Sequence, residues 1–250
     1  DNITWTGTFT PSSDVEDATN VLTLATSYTD TAGNAPASTS TTANYTVDTT
    51  AATVAAFTLS DTALKIGDTA TVTLQFSEAV SGFSSDDDVT VQNGSLATMT
   101  SSDNITWTGT FTPSSDVEDA TNVMTLATSY TDTAGNAGPG ATTANYAIDT
   151  VRPTVASFTM SDTALISGET STVTLQFSEA VASFSSDDDI TVQNGSLATM
   201  TSSDNITWTG TFTPTSSVED ATNVLTLATS YTDTAGNAPA STSTTDNYTV

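Results

Sequence analysis

Between Ala70 and Phe76 the chain alternates strictly, with Ala70, Val72, Leu74 and Phe76 on one side and Thr71, Thr73 and Gln75 on the other. A period of two marks a half-buried β-strand. The same alternation predicts strands over 54–59, 69–77, 89–92, 96–101, 105–112, 123–130 and 145–149. In the fifth, Ile105, Trp107, Gly109 and Phe111 face inward; Tyr130 and Tyr146 do so in the last two. Asn93-Gly94 reads as a hairpin turn. No segment holds a helical period. Seven short strands separated by turn signals predict an all-β fold, an antiparallel β-sandwich.

The pattern then repeats. DNITWTGTFTP starts at Asp1, Asp103 and Asp204, and LATSYTDTAGNA starts at Leu24, Leu126 and Leu227. Self-similarity at a fixed period marks a tandem array, here of a unit of ordinary domain size, about 100 residues. Joints are expected at VDTTAATV (47–54) and IDTVRPTV (148–155), where Pro153 precedes a new strand pattern. The units are a partial repeat at 1–48 and full repeats at 49–149 and 150–250, arranged end to end. The partial unit lacks the first strands, so it should expose Trp5, Phe9, Leu22, Leu24 and Tyr28. The chain reads as a window from a longer polypeptide.

Charge changes the picture most. There are 29 acidic residues, two basic ones (Lys65 and Arg152), no His and no Cys. That balance excludes nucleic acid and anionic membrane surfaces as partners, because both need Lys and Arg to displace counterions. No stretch approaches the length of a membrane span. Disulfides and thiolate metal sites are ruled out. Cations remain as the natural partners of so many carboxylates. The abundant Thr suits solvent-facing strand positions.

Antiparallel order sorts the acids by pole. Connections after the second, fourth and sixth strands return to the pole where the first strand begins. In the repeat 49–149 that pole collects Glu78, Asp86, Asp87, Asp88, Asp103, Asp132 and Asn136, and the preceding joint adds Asp48. The opposite pole collects Asp61, Asp68, Asp116, Glu118 and Asp119. Stacked repeats bring acid to face acid. Two carboxylates ~5 Å apart at an effective dielectric of ~20 repel by roughly 3 kcal/mol. Ca²⁺, which takes 6–8 oxygen ligands in flexible geometry, reverses that sign. Zn²⁺ and Cu²⁺ are disfavoured without His or Cys. The candidate metal ligands are Asp48, Glu78, Asp86, Asp88, Asp132 and Asn136, with equivalents Asp149, Glu179, Asp187, Asp189, Asp233 and Asn237. Each also has a structural reading: Asp132 and Asn136 as turn formers, Asp88 as a cap, Glu78 as an acceptor at a strand end.

FTLSDTALKIGDTATVTLQFSEAV (57–80), VEDATNVMTL (117–126), YTDTAGN (130–136) and IDTVRPTV together resemble the bacterial immunoglobulin-like repeats of giant type I secreted, repeats-in-toxin-type surface adhesins. The resemblance covers the whole chain. It implies immunoglobulin-like sandwiches, secretion to the cell surface, bound calcium, and a spacer that holds a tip away from the cell. The expected function is therefore a stalk segment whose partners are neighbouring repeats of the same chain. Two alternatives stay open. One is a multivalent glycan- or matrix-binding array, for which Phe83 is the single candidate aromatic, although its place suits a core or joint contact better. The other is a filament in which other copies exchange strands. An enzyme is not expected, since only a carboxylate pair could act.

Overall fold

The computed structural model describes residues 3–250. In the second repeat, Gly94–Leu96, Thr106–Pro113, Ala70–Phe76 and Val54–Leu59 form a four-stranded antiparallel sheet in that spatial order. Ala70, Val72, Leu74 and Phe76 are buried, as the alternation requires. On the outer face Thr58, Thr73, Thr108 and Thr100 stand opposite one another in a single cross-strand row.

The facing layer is built from short ladders. Glu118–Asn122 pairs with Tyr146–Asp149, which runs parallel to Ala63–Lys65 on its other side. Thr125–Leu126 lies between Val89–Thr90 and Ala141–Thr142, and Thr131–Asp132 pairs with Val80–Ser81. Between the layers sits one core, centred on Phe76, Phe111, Leu126, Tyr130, Tyr146 and Ile148. The third repeat encloses its own core around Phe177, Phe212, Leu227, Tyr231 and Tyr248. Its main sheet orders Val155–Met160, Ser171–Phe177, Thr207–Pro214 and Gly195–Leu197.

Four details depart from the sequence reading. The strand expected at 123–130 begins earlier, at Glu118, and is interrupted. Asp119 Oδ1 accepts the Thr121 N–H at 2.8 Å, which kinks the ladder where its register shifts. An acidic VEDATN segment looks like a loop because its alternation is broken by that bulge. Ala63–Lys65 is a further strand, too short to show a period. Ser85–Asp88 forms one helical turn. Finally, Asn93-Gly94 is not a hairpin. Its flanking strands, Val89–Thr90 and Gly94–Leu96, belong to different sheets, so the turn carries the chain between layers.

At that crossing Asn93 takes the left-handed conformation, with φ 51°. Gly94 is required for space instead: a Cβ there would lie 2.2 Å from the Phe111 ring and 2.7 Å from the Thr112 carbonyl oxygen. Gly94→Ala should therefore cost about 1–3 kcal/mol by overpacking. A urea titration checks this, with a loss below about 0.5 kcal/mol refuting the close approach.

Within the first repeat, Glu16–Asn20 pairs with Tyr45–Asp48 and Thr23–Leu24 with Ser40–Thr41. The counterpart of Thr106–Pro113 forms no strand, because the partners that pair it in the second repeat have no equivalent in this sequence. Trp5 is 83% exposed, and Phe9, Leu22, Leu24 and Tyr28 are exposed with it.

The aromatics of the complete repeats turn inward. Phe83 is buried, edge-on to Phe76 at 5.7 Å and to Trp107 at 4.9 Å. Phe83 is thus a core contact, and the glycan- or matrix-binding alternative loses its one candidate aromatic. Among the described residues, no aromatic side chain of 49–250 is exposed.

Candidate metal centre

The DTAGN segment is built around one carboxylate. Asp132 Oδ1 accepts the backbone N–H groups of Ala134, Gly135 and Asn136 at 2.9, 2.8 and 2.9 Å. Gly135, at φ 100°, lets the chain curl back. Oδ2 accepts the Asn136 side-chain amide at 2.8 Å. Asp132 is wholly buried and held against Val80. Just beyond the strand Ala70–Phe76, Glu78 comes up beside it. Asp48 ends the last strand of the first repeat and arrives from below.

Asp48, Glu78 and Asp132 present carboxylate oxygens that all lie within 4.8 Å of one another. Asp149, Glu179 and Asp233 do the same in the next unit. Three like charges at that spacing repel by roughly 3 kcal/mol per pair at an effective dielectric of ~20. Glu78 is raised above its usual range by burial and by the charges of Asp132, Asp48 and Glu16. Burial also pushes Asp132 up, but the hydrogen bonds from Asn136, Gly135 and Ala134 outweigh it and leave that carboxyl low. Asp149 is raised by burial and by Asp233 and Glu118, against the pull of the Val151 N–H. The strongest effect falls on Glu179, where burial and the charges of Asp233, Asp149 and Glu118 push the carboxyl up to about 7. Oxygen-only, multiply anionic and partly buried, this donor set fits a hard divalent cation.

A family model described as bacterial Ig-like domain matches residues 1–47, 48–148 and 149–250. The chain belongs to the bacterial Ig-like domain family. No match is found among curated proteins. Of solved structures, the Escherichia coli adhesin FdeC aligns at 14% identity over 92% of this chain and 85% of its own, with a TM-score of 0.42. A bacterial integrin-binding protein, invasin, aligns at 16% over 78% of this chain and 40% of its own, with a TM-score of 0.37. InvD of Yersinia pseudotuberculosis aligns at 17% over 80% and 57%, with a TM-score of 0.32.

Within the Ig-like repeats, the remaining candidate ligands lie elsewhere or face the wrong way. Neither Asp86 nor Asp88 joins the triad, and neither does Asp187 nor Asp189. Asp88 is buried in the helical turn, where it accepts the Ser84 N–H at 2.8 Å and the Ser129 hydroxyl. Asp189 repeats this with Ser185 and Ser230. Asp86 and Asp187 accept the hydroxyls of Thr98 and Thr199. These four carboxylates hold the connection after the second strand in place. Asn136 and Asn237 do reach the triads, but each turns its NH₂ group to them. Asn237 donates to Asp233 Oδ2 at 2.8 Å and to the Asp149 carbonyl at 2.9 Å. They act here as donors that orient the carboxylates.

Glu118, placed by the sequence on the acidic pole that faces the next repeat, and its counterpart Glu16 flank the triads without joining them. Glu118 stands opposite Asp149, and Glu16 opposite Asp48, across the last ladder of the preceding repeat. The stacking of acidic pole on acidic pole anticipates this neighbourhood, and the ladder register adds the exact pairing.

A pH dependence follows from Glu179. The folded repeat holds a proton that the unfolded chain has released above its ordinary value of 4.5. The associated stability is complete below that value and is lost as pH rises to about 7. In chelator, the third repeat should melt at lower temperature across that window and level off above it. Calcium competes with the proton, so its stabilisation should grow over the same window. Calorimetry across the window with and without Ca²⁺ checks both trends. A calcium shift independent of pH would remove Glu179 from the ligand set.

Proposed function

We propose that this chain is an extender segment of a bacterial surface adhesin of the repeats-in-toxin type, carried outside the cell and stiffened by calcium at its joints. The single observation that carries the reading is the recurrence of the acidic triad at both joints. Each triad joins a residue from the end of one repeat, Asp48 or Asp149, to two from the body of the next. A cation held there ties the last strand of one sandwich to the top of its successor and removes the repulsion that otherwise pushes them apart. Near-identical repeats with aromatics turned inward offer length rather than a varied recognition surface. No helix among the described residues is long and apolar enough to cross a membrane.

Isothermal titration of the full chain with CaCl₂ tests the reading. It should show two sites, one per triad, and Glu78→Gln should leave one. Binding that Mg²⁺ matches in affinity, or that survives both Glu78→Gln and Glu179→Gln, would overturn it.

A further inference from the structure

Both basic residues of this chain, Lys65 and Arg152, lie at the joint between the second and third repeats, and both touch the same turn. The Lys65 stem packs on Gly236: a Cβ placed there would lie 3.3 and 3.4 Å from its Cδ and Cε. The Lys65 ammonium is held at 3.1 Å by Asp68, which fixes the stem in that position. Next to it, the Ile66 N–H donates to Asn237 Oδ1 at 2.8 Å, a direct hydrogen bond from one repeat to the next. Arg152 donates from Nη1 to the Ala238 carbonyl at 2.6 Å and so fastens the linker to the same turn.

We infer that Lys65, Ile66 and Arg152 form a protein-only latch that orients the third repeat on the second without any cation. The physical argument is one of leverage. Asp149 alone joins the repeats at a single covalent point, about which they can swivel. Lys65, which ends the strand Ala63–Lys65, and Ile66 just beyond it supply a second point of contact, displaced from the first. Two separated contacts suppress bending in a way that one cannot. Because the Ile66 bond ends on Asn237, the latch also bears on the residue that orients Asp233 and Asp149.

The array itself shows which residues make the latch optional. Where Arg152 stands, the previous joint has Ala51, and where Lys65 stands, the third repeat has Ile166. Ala51 cannot make the Arg152 bond, so that part of the latch is missing at the earlier joint.

The test uses the full chain with Ser95→Cys and Ser196→Cys, two exposed and equivalent positions in a chain that has no other Cys. Spin labels there report the distance between repeats by double electron–electron resonance. Lys65→Ile with Arg152→Ala installs residues that the array already carries at those positions, so folding is kept; a melt confirms it. In chelator the parent should give one narrow distance distribution, and the double variant one broadened about two-fold as further orientations become populated. Equal widths for parent and variant, whether both narrow or both broad, would overturn the latch. Adding Ca²⁺ should narrow the variant again. That last arm reads the calcium proposal separately, since the latch stands or falls on the chelator measurement alone.

Discussion

Adding about 10 mM Ca²⁺ to the chelator-treated chain should raise its unfolding midpoint by about 10–20 °C. The size follows from linkage. Extracellular calcium modules bind with Kd of about 10⁻⁴–10⁻³ M. At about 100 times Kd, binding to the folded state adds about 2.7 kcal/mol. A domain of this size moves by about 4–8 °C per kcal/mol. Mg²⁺ should do much less, because it demands strict octahedral geometry and gives up its waters reluctantly. Glu179→Gln separates the two contributions of that carboxylate. With no cation the folded repeat holds Glu179 against Asp233 and Asp149 at the cost of burial. Removing the charge should raise the midpoint of the third repeat in chelator at pH 8, above the pH window in which Glu179 titrates, while removing its response to calcium. Identical midpoints in Ca²⁺, Mg²⁺ and chelator would show the triads to be solvated surface and sink the stiffened-joint reading.

Asp233→Ala should unfold the third repeat at ambient temperature whether or not calcium is present. Asp233 is wholly buried and accepts the N–H groups of Gly236 and Asn237 at 2.7 and 2.8 Å and the Asn237 amide at 2.8 Å. Truncation leaves these donors without a partner, at about 1–3 kcal/mol each. A total of roughly 3–9 kcal/mol is comparable with the 5–15 kcal/mol by which a domain is stable. Asp233 and Glu179 thus belong to the same triad with opposite effects on the cation-free protein: one shapes the turn, the other is merely held near it. Tryptophan fluorescence reads the outcome in the full chain, since Trp208 lies in the third repeat, packed against the core through Phe184 at 4.9 Å. A folded Asp233→Ala variant with only its calcium shift missing would refute the structural role.

The alternation of Ala70 to Phe76 and the threefold recurrence of DNITWTGTFTP determined by themselves that this is an array of β-sandwiches. Strand period and repetition are local properties, written residue by residue. The convergence of Asp48, Glu78 and Asp132 was also legible, because antiparallel order alone assigns each connection to a pole. What the pole could not supply was distance and direction. Asp86 and Asp88 share that pole but are drawn into a helical turn by Ser84, Ser129 and Thr98. Asn136 reaches the triad and presents its nitrogen, because that amide donates to Asp132 in its own turn and to the Asp48 carbonyl 88 residues away. Glu118 comes opposite Asp149 through a register across a bulge that no local pattern reveals. The latch at Lys65 and Ile66 lies 171 residues from Asn237 along the chain. Contacts of that span depend on how whole repeats stack, and only the tertiary structure decided them.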